Sequence, residues 1–188
     1  MTRVGTALAA AVALLSVSAC TGEEPAGGDP TTSAPSPRAT SSPTPTPVAP
    51  TIPPEATEHS ADGAAAFVKY YIAVFNHAEA NLEVSDIESL TSPACTSCQR
   101  MIRRLRAIRK NGGSSGDPNW SPTITSSQLI SGTFIVTADI TSSDFPYQET
   151  SEAPPGTVKA TKYELLYELA WRSGGWVIDR IVEQEIPK

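Results

Sequence analysis

The sequence is short of the residue types on which several function classes depend. Its 188 residues include two histidines, His59 and His77, and three cysteines, so a histidine-rich metal site is excluded. Lys and Arg number 14 against 20 Asp and Glu, which argues against a nucleic-acid binder, because such domains are strongly basic. No serine–histidine–aspartate order, paired-carboxylate spacing, Walker loop or dinucleotide glycine motif occurs. We therefore predict no metal, no cofactor and no nucleic-acid partner.

A leader for export begins the chain. Arg3 precedes an apolar run over residues 4–15 and small residues up to Ala19, a pattern typical of a signal peptide and too short for a membrane-spanning helix. The letters VSAC at residues 17–20 resemble the bacterial lipobox, in which a peptidase cuts before a cysteine that has received diacylglycerol. The resemblance implies a signal peptide over residues 1–19 and a lipid-anchored Cys20 on the extracytoplasmic face of the cell membrane. The alternative is an ordinary signal peptide with a cysteine near the cut by chance.

Proline is concentrated directly after the leader. Ten of the 17 prolines lie between Pro25 and Pro54, and Pro, Thr, Ser and Gly dominate the positions up to residue 56. Such a segment buries too little apolar surface to offset the entropy of ordering. We expect residues 20–56 to be a disordered linker that reaches on the order of 100 Å at about 3.1 Å per residue.

Residues 57–188 have the periodic apolar pattern of one folded domain. Ser60 can cap a helix that ends near Asn81, and Ser85 caps a short turn. A further helix begins at Ser92-Pro93 and stops at residues 111–113. The apolar stripe of the first helix, Ala64, Phe67, Val68, Tyr71, Ile72 and Phe75, is typical of a helix packed on a sheet.

Beyond Trp120 the apolar period becomes two. Strands are predicted over residues 124–130, 134–140, 159–171 and 176–185, with turns at 131–132 and 173–175. Residues 142–156, which include three prolines, are predicted to be a long loop. Helices followed by a meander indicate the α+β class, with the N-terminal helices packed on a four-stranded antiparallel sheet.

This order of elements resembles the nuclear transport factor 2-like (SnoaL-like) cone fold, in which a curved sheet wraps helices around a pocket. The segments FVKYY at residues 67–71 and SPACTSCQ at 92–99, the glycines after Lys110 and the leader resemble an uncharacterised actinobacterial lipoprotein family, a domain of unknown function, over about residues 54–185. The resemblance implies a curved sheet and allows a dimer, but the family brings no established activity.

Two cysteines remain in the domain, Cys95 and Cys98. We expect them to be joined, because exported proteins fold in oxidising compartments. A Cys-x-x-Cys pair at a helix start beside Arg100 also suggests a thiol–disulfide oxidoreductase, since the helix dipole and the cation favour the thiolate. No strand of a thioredoxin βαβ unit precedes the motif, which favours a structural bridge. The usual four zinc ligands are also missing.

Basic residues are concentrated on the helix that follows these cysteines. Six of the 14 lie there: Arg100, Arg103, Arg104, Arg106, Arg109 and Lys110. They either form an ordinary solvated face, paired with Glu79, Glu83, Asp86 and Glu88, or bind an anionic partner such as phospholipid head groups or an acidic envelope polymer. Near a charged membrane each Lys or Arg contributes about 1 kcal/mol.

Aromatic residues at helix and strand spacing form either core or the wall of a ligand pocket: Tyr71, Phe75, Tyr163, Tyr167, Trp171 and Trp176. Cone folds include isomerases and cyclases that use a pocket Asp or His, for which His77 and Asp139 would be the candidates here. His77 has the position of a helix-surface residue, and Asp139 lies on the strand face opposite the apolar residues. The sequence therefore assigns no catalytic residue.

Together these features favour a membrane-anchored envelope lipoprotein that displays a small non-catalytic binding or assembly domain on a flexible stalk. Its partner is an envelope protein, a polymer or a small ligand. The alternative is a ligand-binding or isomerase-like cone pocket, and a Cys-x-x-Cys oxidoreductase is the third hypothesis. An enclosed apolar cavity with a polar group at its base would favour the pocket over a solid core.

Overall fold

The computed structural model describes residues 48–184, which belong to one compact unit. The predicted signal peptide, Cys20 and the linker up to residue 47 lie outside the described residues. Within the described part of the chain, no helix has the length and apolarity needed to cross a membrane.

Three α-helices follow a short 3-10 helix, Pro54–Thr57: α1 (Ala61–Asn81), α2 (Ser85–Ser89) and α3 (Thr96–Lys110). The predicted start of α1 is confirmed, because the Ser60 hydroxyl accepts a hydrogen bond from the Gly63 backbone N–H at 3.0 Å. The helix ends at Leu82, whose backbone is left-handed with φ 54°. Before α1, Ala56 is buried in the core.

The predicted starts of the next two helices are wrong by a few residues. Ser85 is the first residue of α2 and not its cap. Helix α3 is capped by Cys95. It does not begin at Ser92, because Ser92 donates its backbone N–H to the Ile178 carbonyl oxygen at 2.8 Å and Thr91 forms a bridge with the same residue. These bonds tie the chain to a strand, so Pro93 lies in the turn before the helix.

Seven strands follow the helices: β1 (Gly112–Ser115), β2 (Ser121–Ile130), β3 (Thr133–Thr141), β4 (Phe145–Thr150), β5 (Gly156–Val158), β6 (Lys162–Arg172) and β7 (Gly175–Glu183). They form two antiparallel sheets, one ordered β1-β4-β5 and the other β2-β3-β6-β7. The four predicted strands are confirmed as β2, β3, β6 and β7, and the turns at Ser131–Gly132 and Ser173–Gly174 have positive φ angles.

The predicted fold class, helices packed on one curved four-stranded sheet in a cone, is wrong. The structure has a second sheet, whose strand β4 lies within the predicted loop of residues 142–156 and whose strand β5 begins at the last residue of that loop. This sheet is held by backbone pairing of Gly, Ser, Thr and Pro-rich segments, such as Ser114 with Gln148 and Pro146 with Thr157. Since these segments lack apolar alternation, the sequence pattern did not indicate them.

One hydrophobic core draws side chains from α1, α3 and the four-stranded sheet. On β6 the predicted alternation is confirmed: Tyr167 and Leu169 are buried, while Glu168 pairs with Arg180 on the other face. Asp139 also lies outside the core, where it pairs with the Lys162 ammonium at 2.9 Å. The core therefore occupies only one face of this sheet.

We predict that the first turn of α1 does not tolerate a side chain at Gly63. A Cβ there would lie 2.0 Å from the Glu58 carbonyl oxygen. The clash outweighs the gain of about 1 kcal/mol from alanine in a helix, so Gly63→Ala should lower the free energy of unfolding in urea by about 1–3 kcal/mol. Gly175→Ala is the matched control, because nothing lies within 4 Å of its Cβ position. Equal stability of the two variants would contradict the prediction.

Candidate functional site

A cavity of about 340 Å³ is lined by both helices and strands of the domain. Helix α1 contributes Tyr71 and Phe75, and β6 contributes Tyr163, Leu165 and Tyr167. Most of the wall is aromatic or aliphatic, and the volume is within the range of small-molecule sites, about 300–1,000 Å³. The cavity is therefore the candidate functional site.

The second sheet supplies part of this wall. Phe145 of β4 and Val158 of β5 both line the cavity, and Phe145 is buried. Asp144, directly before β4, accepts hydrogen bonds from the Lys159 ammonium and the Ala160 backbone N–H. These bonds hold the two strands together at the point where they reach the cavity.

Four of the six predicted pocket residues line the cavity, and two do not. Tyr71, Phe75, Tyr163 and Tyr167 are in its wall. Trp171 and Trp176 pack against His59 instead, with ring centroids 4.8 and 5.6 Å from the imidazole, and Trp176 donates its indole N–H to the Glu58 carbonyl oxygen at 3.1 Å. At that end of the sheet the chain before α1 fills the space with its own side chains.

The cavity wall has three charged residues, Glu79, Arg104 and Glu183, of which Glu79 is the buried one, with 2% of its surface exposed. The Trp120 indole N–H donates to its Oε2 at 3.4 Å, and the Arg104 guanidinium lies 3.7 Å from its Oε1. Burial raises the pKa of the Glu79 carboxyl and the charge of Asp117 adds to the shift, whereas Trp120 and Arg104 oppose it. A proton is thus held more tightly here than on an exposed glutamate.

Two tyrosine hydroxyls are buried in the wall as well. The Tyr71 hydroxyl donates to the Cys98 sulfur at 3.9 Å. The Tyr167 hydroxyl has no hydrogen-bond partner among the described residues. Burial raises the pKa of Tyr167, and the neighbouring Tyr71 adds to the shift, so the hydroxyl keeps its proton at all ordinary pH values. An unpaired buried hydroxyl is rare in folded proteins.

We predict that Glu79 makes the domain less stable as the pH rises. Its folded-state pKa is above the unfolded value of about 4.5, so the folded state binds more protons than the unfolded state between the two values, and stability falls across that window. Relative to a Glu79→Gln variant, the wild type should lose free energy of unfolding as the pH is raised from 4.5 towards 7.5. Urea titrations at several pH values measure the difference. A flat difference, or one that grows with pH, would refute the prediction.

Cys95 and Cys98 are joined by a disulfide at the start of α3, with their Cα atoms 5.3 Å apart. The Cys95 sulfur accepts the Cys98 backbone N–H at 3.3 Å, and both residues are fully buried. A loop this short contributes about 2 kcal/mol on the entropy model. Because thiol exchange requires access to a sulfur, this burial favours a structural bridge over the oxidoreductase hypothesis.

The six basic residues of α3 divide into two groups. Three of them pair with acidic side chains: Arg104 with Glu79, Arg106 with Glu88, and Arg109 with Glu83. Arg100, Arg103 and Lys110 are exposed and form no ion pair within residues 48–184. The spacing places these three on one stripe opposite the buried line of the helix. Three of the six basic residues thus belong to an ordinary solvated face with ion pairs, and the other three form a cationic stripe without them.

The two residues considered for catalysis lie away from the cavity. His77 faces Asn81, whose amide nitrogen lies 3.3 Å from its Nδ1 and donates to its backbone carbonyl oxygen at 2.8 Å. Asp139 is on the outer face of β3, in the pair with Lys162. Within residues 48–184, no three His, Cys, Asp or Glu side chains are grouped so that they could hold a metal ion.

Sequence reasoning missed several cavity residues. Glu79 is predicted above only to pair with the basic helix. It follows Phe75 at i+4 on the apolar stripe of α1, and a charged residue on such a stripe indicates a buried polar group. Trp120 and Phe145 lie outside the predicted elements. Their place in the wall depends on long-range contacts, such as the hydrogen bond from the Trp120 backbone N–H to Asn76 at 2.9 Å.

Comparison with known proteins assigns a family. Residues 37–181 match the model described as "Family of unknown function (DUF6318)", and the chain belongs to that family. The predicted membership in a domain family of unknown function is confirmed at this level. No curated protein matches the chain.

Solved structures similar to the domain include the following two. The intermembrane space region of the chloroplast protein ARC6 aligns with a TM-score of 0.52 and 13% identity, covering 67% of this chain and 97% of that chain. A putative calcium/calmodulin dependent protein kinase II association domain from Xanthomonas campestris aligns with a TM-score of 0.39 and 14% identity, covering 70% and 91% of the two chains. The likeness to the ARC6 region concerns the fold alone.

Proposed function

We propose that this member of a family of unknown function binds a small, largely apolar molecule in the cavity without transforming it chemically. The observation that carries the proposal is an aromatic and aliphatic cavity of about 340 Å³ with a buried carboxyl, Glu79, in its wall. Ligand sites commonly combine an apolar wall with a few convergent polar groups. A domain that filled this region with its own side chains would be close-packed and would leave no space of this volume.

We also propose that the domain works at the extracytoplasmic face of the cell membrane, anchored through diacylglycerol on Cys20. The proposal rests on the leader, the VSAC letters at residues 17–20 and the Pro-rich segment that follows. Two acyl chains provide stable anchoring where one is marginal. The linker would let the cavity reach molecules at a distance from the bilayer.

Native mass spectrometry of the full chain tests the cavity proposal directly. A Cys20→Ser variant, exported behind an ordinary cleavable signal peptide in place of residues 1–19, avoids detergent, which would compete for an apolar cavity. We expect a reproducible additional mass that disappears on denaturation. A bare protein mass, together with no binding of added apolar probes, would overturn the proposal.

A second candidate function uses the cationic stripe of Arg100, Arg103 and Lys110, which would bind an anionic envelope surface. This proposal is supported by the lack of ion pairs at these three residues. The other three basic residues of α3 each pair with a glutamate, which neutralises them in part. We expect Arg103→Glu to weaken binding to vesicles that contain phosphatidylglycerol. Lys69→Glu changes the net charge equally on α1 and is the matched control. Equal binding of both variants would exclude the stripe as the contact surface.

A further inference from the structure

Building on the proposed function, we propose a ligand class for the cavity: an elongated, uncharged aliphatic molecule whose oxygen atom accepts a hydrogen bond from the Tyr167 hydroxyl. The proposal depends on three features of the wall. These are the separation of its two polar ends, the unpaired hydroxyl at one end, and the charged groups of both signs at the other.

The polar groups of the cavity wall lie at two ends, which are far apart along both α1 and β6. Tyr71 and Glu79 are eight residues apart on α1, or about 12 Å at 1.5 Å per residue. Tyr163 and Tyr167 are four residues apart on β6, or about 13 Å. Both elements therefore provide a cavity wall of similar length.

Ring contacts show which ends of the two elements coincide. The Tyr71 and Tyr167 rings are 6.3 Å apart, and the Trp120 and Tyr163 rings are 6.0 Å apart. Trp120 in turn donates to Glu79. The cavity thus has a tyrosine end, formed by Tyr71 and Tyr167, and a glutamate end, formed by Glu79, Trp120 and Tyr163.

The tyrosine end is the closed one, and it offers a hydrogen-bond donor. Tyr71 is 1% exposed and Tyr167 is 0% exposed. The Tyr71 hydroxyl already donates to the Cys98 sulfur, whereas the Tyr167 hydroxyl is unpaired. A ligand oxygen at this end would satisfy the Tyr167 donor, and the cost of leaving it unpaired would be recovered on binding.

The glutamate end is open and has charged groups of both signs. Arg104 has 48% of its side chain exposed, pairs with Glu79 and lies over the Tyr147 ring at 5.1 Å. Glu183, which is exposed, also lines the cavity. A carboxylate ligand would face two glutamates and a cationic ligand would face Arg104, so an uncharged molecule avoids both repulsions.

Four linear probes of similar length test this ligand class by isothermal titration calorimetry: 2-octanone, octane, octanoate and octylammonium, with the Cys20→Ser full chain. We expect 2-octanone to bind at least tenfold more tightly than the two charged probes. Tyr167→Phe should weaken 2-octanone binding about tenfold and leave octane binding unchanged. Tyr70→Phe, which removes a hydroxyl from a half-buried tyrosine of α1 that does not line the cavity, is the matched control and should change 2-octanone binding less than twofold.

A stability measurement separates a binding role of the Tyr167 hydroxyl from a structural one. Without ligand, Tyr167→Phe removes an unpaired buried donor, so its thermal midpoint should equal or exceed that of the control chain. If 2-octanone binds Tyr167→Phe as tightly as the control chain, or if a charged probe binds best, the ligand class is wrong while the binding function stands. If none of the four probes binds and native mass spectrometry shows a bare protein, the proposed function fails with it.

Discussion

A Cys20→Ser variant, exported behind an ordinary cleavable signal peptide in place of residues 1–19, is expected to move almost completely from the membrane fraction to the soluble fraction. Each buried methylene of an acyl chain contributes about 0.8 kcal/mol to membrane binding, and the serine hydroxyl would not receive diacylglycerol. Ultracentrifugation followed by immunoblotting measures the two fractions.

The other two cysteines provide the control for this experiment. The Cys95→Ser/Cys98→Ser variant loses the disulfide of α3 but keeps the lipobox letters, so it should remain in the membrane fraction. Mass spectrometry of the mature wild type should show acyl chains on Cys20. The anchoring proposal would be abandoned if the wild type carried no acyl chains, or if Cys20→Ser remained with the membrane.

A Met101→Trp variant is expected to abolish ligand uptake, with at least a hundredfold loss of affinity for 2-octanone. Met101 lines the cavity from α3 and is half-buried. An unbranched methionine adapts to its surroundings, whereas an indole at this position would occupy the space that the ligand needs. Since the new side chain fills a cavity and displaces no packed residue, we expect little loss of stability.

Ala107→Trp is the matched control, because Ala107 is an exposed residue of the same helix. It should bind 2-octanone as the control chain does. Calorimetry measures both affinities, and urea titration checks that both variants fold. Full uptake by Met101→Trp would mean that ligand binds elsewhere, and this outcome would count against the cavity as the functional site.

The long amphipathic elements were predictable from the sequence because local patterns determine them. Helix α1 has an apolar stripe and a Ser60 cap, and the structure confirms both. The four strands of the larger sheet alternate apolar and polar residues and were located within a few residues. Each of these elements buries one face, so its side-chain period is fixed by burial.

The start of α3 and the second sheet were not predictable in this way. Ser92-Pro93 has the composition of a helix start, but the hydrogen bond of Ser92 to Ile178, 86 residues away in sequence, prevents it. Strands β1, β4 and β5 pair through backbone groups, which every sequence has. Phe145 is the one buried residue of these three strands, so no apolar alternation indicates which segments pair.

For the candidate site, the sequence alone identified the aromatic residues and tertiary structure decided which of them meet. Tyr71, Phe75, Tyr163 and Tyr167 line the cavity. Trp171 has the same strand period as Tyr167 but stacks on His59, since the chain before α1 covers that end of the sheet.

The sequence by itself determined the amphipathic helices and the larger sheet, because local periodicity encodes each of them, whereas the leader and the lipid anchor stay predictions. Only the tertiary structure decided that Glu79 is buried beside Arg104 and that the Tyr167 hydroxyl is left without a partner. The physical reason is that burial and hydrogen bonding of a side chain depend on groups distant in sequence, which meet only when the chain is folded.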